Sequence, residues 1–223
     1  MSYSERETFN RDRFRANLLK YTRKAFYMLP RLNKPRILDI GCGSGVATLE
    51  LARISDGNII AVDINGKALD RLVERAAEEG LSDRITVMHT SMMEMNFPSA
   101  GFDIIWTEGA ISYIGFARGL SEWRALLVPN GYLIVHDALS DSQKKIELTR
   151  ACGYSTVGRF ELPQDIWWNE YCAPMKKRLE ELYEMNPDDK RVIEEMKLAE
   201  KEINGFDFES DWFASFFLVL MKI

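Results

Sequence analysis

The sequence is poor in the residues that metal and disulfide chemistry need: three cysteines and two histidines among 223 residues. Cys42, Cys152 and Cys172 have no CxxC spacing and cannot all pair, which removes a disulfide framework and a zinc site. His89 and His136 share no carboxylate–histidine spacing, so no metal ligand set is expected. Long apolar runs are also missing. The longest near a terminus, residues 213–221, is too short to cross a bilayer. No apolar signal core follows Ser4-Glu5-Arg6-Glu7-Thr8, and a cytoplasmic chain without membrane attachment is expected. Positive charge is not in surplus. A net charge of −5 argues against a general nucleic-acid binder. Residues 6–36 are rich in Arg and Lys and residues 161–211 in Asp and Glu, which reads as solvated helix faces. Nothing in the sequence fixes an oligomeric state, and a homodimer stays open.

What is present is a globular composition, 46% hydrophobic and 28% charged, in a length that suits one domain over 1–223. Residues 5–29 carry an apolar stripe among charges and predict one helix, stopped by Pro30 and Pro35; residues 1–35 thus form an N-terminal lid. A core over 36–160 alternates strands at 37–40, 58–62, 84–88, 102–106 and 131–136 with helices at 46–54, 66–79 and 116–127. Residues 141–152 predict a helix and 154–160 a strand. Apolar strands alternating with helices predict an α/β fold with a parallel sheet covered on both faces. The region 161–211 reads as a helical insertion, with helices at 164–185 and 188–204 split by Pro187, and residues 212–221 as the last strand. Such an insertion is suited to covering a pocket, and it has too few large apolar residues for a core of its own.

Gly41-Cys42-Gly43-Ser44-Gly45 follows the first core strand and precedes its helix. Without Cβ atoms the backbone can turn sharply and approach a ligand, while the helix offers unpaired N–H groups. Dinucleotide sites use GxGxxG, whose third glycine lets helix and strand pack closely; here that position is Val46, which disfavours NAD. Asp63 ends the second strand. A carboxylate there can accept hydrogen bonds from both hydroxyls of a ribose, or it can cap the helix starting at Gly66.

The run Leu38-Asp39-Ile40-Gly41-Cys42-Gly43-Ser44-Gly45 resembles the first motif of the class I S-adenosylmethionine-dependent methyltransferases. The resemblance implies a Rossmann-like, mainly parallel seven-stranded sheet with an antiparallel last strand. It also implies that Asp39, Gly41, Cys42, Gly43 and Gly45 wrap the amino-acid part of S-adenosylmethionine. Asp63 would hold the sugar, Ile64 would pack on the adenine, and Ser91 and Met92 would flank the base. Ser91 stands where the family frequently has Asp. Met92, Met93 and Met95 read as adaptable packing below the cofactor.

The family's fourth motif falls at Thr107-Glu108-Gly109-Ala110, and the Asn-Pro-Pro-Tyr type of amino methyltransferases acting on nucleic-acid bases is absent. Methyl transfer from a sulfonium is an in-line displacement on an activated carbon. The protein must hold the nucleophile about 3–3.5 Å from the methyl, and a base is needed only for a nucleophile that arrives protonated. Glu108 is the first candidate for that base, for a contact to the cofactor, or for binding a cationic group; the plainer reading is a carboxylate satisfied by backbone N–H groups. His136 is a second candidate base, with a structural role as its alternative, and Asp137 is similar. Further residues resemble a subgroup of small bacterial and archaeal methyltransferases: Glu108 to Ile111, Gly115-Phe116, and the stretch from Phe160 to Pro174. That resemblance carries fold and cofactor better than substrate; Ile111, Tyr113, Trp167, Trp168 and Tyr171 are the residues expected to line a substrate pocket. The aromatics can bind a flat or cationic acceptor, or can equally be packing. The expected activity is methyl transfer from S-adenosylmethionine to a small molecule, giving S-adenosylhomocysteine. The alternatives are a protein or RNA methyltransferase and a non-catalytic S-adenosylmethionine-binding regulator.

Overall fold

The computed structural model describes residues 9–203 and 214–223. Packing groups residues 19–161 and 215–223 into one compact unit, and the described residues of 1–18 and 162–214 into another.

The larger unit is built on a seven-stranded sheet: β1 (Arg36–Ile40), β2 (Asn58–Asp63), β3 (Ile85–His89), β4 (Phe102–Glu108), β5 (Leu127–Ala138), β6 (Tyr154–Leu162, its last residue belonging to the other unit) and β7 (Ser215–Lys222). Their spatial order is β3-β2-β1-β4-β5-β7-β6. The pairs β1–β2, β1–β4, β2–β3 and β4–β5 are parallel, whereas β5–β7 is antiparallel, matching the expected Rossmann-like sheet. The order reverses at β1, which lies between β2 and β4. In such sheets a crevice opens outside the carboxyl ends of the strands at this point. Ile37, Leu38 and Ile40 of β1 and Ile104, Ile105 and Trp106 of β4 are fully buried, as strands covered on both faces require.

The helices of this unit are α2 (Leu19–Phe26), α3 (Val46–Ile54), α4 (Gly66–Glu78), α5 (Ile111–Ile114), α6 (Phe116–Leu126) and α7 (Ser142–Ala151). Helix α4 buries Ala68, Leu69, Leu72 and Ala76, one stripe at helical spacing, and starts where Asn65 Oδ1 accepts from Ala68 N at 3.2 Å. Arg84 closes the C-terminus of α3 by donating to Ala52 O at 2.5 Å and Ser55 O at 2.9 Å. Strand β5 starts earlier than its sequence suggests. Its register against β4 jumps from Phe102↔Leu127 to Ile104↔Tyr132 around Asn130, whose φ is +61°.

The second unit contains α1 (Arg11–Ala16), α8 (Gln164–Trp167), a π turn (Trp168–Cys172), α9 (Ala173–Met185) and α10 (Lys190–Ile203). Met175, Leu179 and Ala199 form its small core, with Phe9, Phe14 and Tyr171 packed against them. Pro174 interrupts the helix expected over 164–185. Proline has no N–H and its ring crowds the carbonyl four residues earlier, that of Glu170, so the chain widens into the π turn. Glu170 O accepts instead from Asn17 Nδ2 at 2.8 Å.

The single helix expected over 5–29 is corrected to α1 and α2. The chain leaves the helix at Asn17, whose side chain serves Glu170, and α2 begins in the other unit. Residues 5–8 of that expectation, Asn204 at the end of the second insertion helix, and residues 212–213 of the expected last strand lie outside the described residues. No helix among the described residues is long and apolar enough to cross a membrane.

Candidate active site

The glycine turn is pinned to the end of β2. Gly41 N and Cys42 N both donate to Val62 O, at 2.8 and 3.1 Å. Gly41 (φ +74°) and Gly45 (φ +79°) are required twice over: each is in the left-handed region, and each is tightly packed. A Cβ on Gly41 would lie 2.4 Å from Ala110 Cβ, and one on Gly45 would lie 2.2 Å from Leu72 Cδ1.

Asp63 does not cap α4, since Asn65 fills that role. It braces the turn: Oδ2 accepts from Gly43 N at 2.7 Å and Oδ1 from Asn65 N at 2.8 Å. A cleft of about 500 Å³ opens beside it. Of the residues expected at a site, Gly41, Asp63, Ile64, Ser91, Met92, Glu108 and Tyr113 line this cleft. Ile64 is 73% exposed and Tyr113 79%, a bare apolar surface of the kind a ligand covers. Ser91 Oγ accepts from Met93 N at 3.2 Å and holds the loop after β3. Val62, Thr90, Met93, Gly109 and Ala110 complete the lining. Of these, Met93 was expected as packing below the cofactor and Gly109 and Ala110 as part of the fourth motif, whereas Val62 and Thr90 were not expected at the site, although each adjoins a residue that was.

Glu108 ends β4. Its Oε1 accepts from Thr22 Oγ1 of α2 and from Trp106 Nε1, both at 2.9 Å. Sequence alone had no signal for Thr22, which reaches Glu108 from 86 residues away.

Several expected residues stand outside the lining. Asp39 is 2% exposed beneath the turn, where Thr48 Oγ1 donates to its Oδ2 at 2.6 Å. Burial pushes its carboxyl up to about 7 against that hydrogen bond, and the negative charges of Glu108 and Asp63 push the same way as burial. The Cys42 thiol is raised by burial and by the carboxylates of Asp39 and Asp63, which keeps it protonated. Gly43 and Gly45 shape the turn without lining the cleft. Ile111 is wholly buried in the core. His136 is buried as well, 2.8 Å from Ser215 Oγ through Nε2 and stacked on Phe217 with ring centres 4.4 Å apart, and it is not among the residues lining the cleft. Asp137 accepts from Ser112 Oγ and pairs with Lys145. Trp167, Trp168 and Tyr171 belong to the second unit, where Trp167 meets Tyr171 edge-on and carries the Arg15 guanidinium over its face. Among the described residues no group of histidine, cysteine or carboxylate side chains could hold a metal ion.

Asp39, Asp63 and Glu108 gather around one glycine turn at a sheet switch point, and two of these acids, Asp63 and Glu108, line the cleft. Residues 37–131 match the methyltransferase domain family. The 27-O-demethylrifamycin SV methyltransferase of Amycolatopsis mediterranei is 34% identical over 113 residues, 50% of this chain and 42% of that enzyme. The chain therefore spans less than half of that relative's length. Among solved structures, the [4+2]-cyclase SpnF superposes with a TM-score of 0.74 at 19% identity, covering 91% of this chain and 80% of that one. YjhP from E. coli superposes at 0.68 with 20% identity, covering 99% and 97%. Both likenesses establish the fold. The likeness to methyltransferases in sequence thus centres on residues 37–131, the segment that holds the glycine turn, Asp63 and Glu108.

Proposed function

We propose that the cleft between the glycine turn, Asp63 and Glu108 binds S-adenosylmethionine, and that the protein transfers its methyl group to a small-molecule acceptor, giving S-adenosylhomocysteine. The observation that carries this reading is Asp63, fixed by Gly43 N–H at the carboxyl end of β2 inside the segment that matches the methyltransferase domain. When bound, the cofactor supplies a sulfonium-activated methyl carbon. The protein's part is attraction and placement. Asp63 takes the sugar hydroxyls, Ile64 offers an apolar face to the base, and the carboxylates of Asp63 and Glu108 favour a cation. Glu108, oriented by Thr22 and Trp106, faces the acceptor and holds its reacting group in line, which supplies several kcal/mol of the barrier reduction.

A small-molecule acceptor is supported by the relative named for a demethylrifamycin and by the acidic net charge of −5, which disfavours nucleic acid. The same reading takes the enzyme to be cytoplasmic and counts a homodimer as its candidate assembly, to be measured by light scattering. A second reading comes from the neighbour described as a [4+2]-cyclase: the fold also serves reactions other than methyl transfer. Incubation with methyl-labelled S-adenosylmethionine and a metabolite extract separates the two. A labelled small product supports methyl transfer, and cofactor binding without labelled product supports the second reading.

A further inference from the structure

Gly109 and Gly115 bracket α5 with φ of +72° and +91°, so this four-residue helix hangs between two joints that side-chain-bearing residues rarely adopt. Three contacts seat it. Ile111 sinks into the core beside Gly119, where a Cβ would stand 2.7 Å from Ile111 Cγ1. Gly109 N donates to His136 O at 2.8 Å. Ser112 Oγ donates to Asp137 Oδ1 at 2.7 Å.

The third contact is the unusual one. Asp137 is 5% exposed, and a carboxylate so placed costs several kcal/mol unless it is paired. Lys145 Nζ pairs with Oδ2 at 2.7 Å, donates to Ala138 O at 2.6 Å, and lies over the rings of Phe116 and Phe216. That ion pair fixes the carboxylate with Oδ1 turned to Ser112. The segment so fastened forms the cleft wall through Ala110 and Tyr113, and Ala110 fills the space beside Gly41 that a Cβ there would need.

We infer that Asp137, held by Lys145 and acting through Ser112, is a positioning residue that sets the wall 109–115 against the glycine turn and thereby tunes affinity for the cofactor. The inference rests on the reading that the cleft takes S-adenosylmethionine.

The test is calorimetric titration of S-adenosylmethionine into the wild type, Ser112→Ala, Ser112→Thr, Asp137→Asn and the Ser112→Ala/Asp137→Asn double variant, with thermal melts alongside. Ser112 is exposed, so its replacement leaves the melt near that of the wild type. Ser112→Ala is expected to weaken binding about fivefold to tenfold, the loss of one hydrogen bond to a charged group. Ser112→Thr keeps the hydroxyl and stays within about twofold. Asp137→Asn keeps an oxygen for Ser112 but loses the ion pair with Lys145 that orients it, so it weakens binding, and the double variant is no weaker than the worse single one, because both changes act through the same link. Wild-type affinity in Ser112→Ala, equal losses in the Ala and Thr variants, or additive losses in the double variant overturn the inference. If Asp137→Asn does not fold, the Ser112 pair decides. A wild type that does not bind S-adenosylmethionine overturns the underlying reading and this inference with it.

Discussion

Asp63 and Gly43 are joined by a 2.7 Å hydrogen bond in which the glycine N–H donates to the acid's Oδ2. With Oδ1 held by Asn65 N, the carboxylate is oriented before any ligand arrives, and each oxygen keeps a lone pair for a further donor. Turn and acid are one preformed unit, which lowers the ordering cost of binding.

Gly45→Ala is expected to cost roughly 2–4 kcal/mol of stability, since a strained φ and a clash with Leu72 act together. Gly43→Ala meets no neighbour within 4 Å and pays only for its backbone, about 1–2 kcal/mol. Urea unfolding of both variants checks the order; equal losses would refute the packing argument.

Asp39 gives a pH signature opposite to that of an ion-paired carboxylate. Its folded-state value of about 7 lies above the unfolded value of about 3.9, so the folded state binds more protons between them. Its contribution is fully favourable below about pH 4 and is lost as pH rises towards 7. Asp39→Asn should therefore show a flatter stability profile between pH 5 and pH 7 than the wild type, and relatively greater stability at pH 8, in urea titrations across that range. Parallel profiles would contradict the assignment.

His136→Ala should lower stability by about 2 kcal/mol through the lost Phe217 stack and Ser215 bond, with cofactor affinity changed less than about threefold. Thermal melts and calorimetry test this together. Wild-type stability with lost turnover would return His136 to a catalytic role.

Glu108→Gln should reduce labelled product at least about tenfold while affecting cofactor binding less, because its side chain is assigned to the acceptor. Product yield by mass spectrometry, set against calorimetric affinity, gives the comparison. Full product yield would remove Glu108 from the reaction.

The sheet was legible in the sequence because strands such as residues 37–40 and 102–106 are short runs, apolar but for one aspartate each, and burial on both faces leaves them few alternatives. Gly41, Gly43 and Gly45 were legible because each occupies a left-handed backbone position, and Asp63 because it ends the strand beside that turn. What escaped depends on distant partners. The break at Asn17 follows from the Glu170 carbonyl that Pro174 cannot serve. The bond from Thr22 to Glu108 and the Ser112–Asp137–Lys145 link join elements that no local periodicity connects. The stack of His136 on Phe217 of the last strand likewise had no local signal.

Titration of S-adenosylmethionine into the wild type and Asp63→Ala tests the central claim most directly. The account predicts one molecule bound per chain, and an affinity loss of roughly 2–3 kcal/mol in the variant as charge-assisted bonds disappear. No binding by the wild type, or equal affinity in the two proteins, would contradict it.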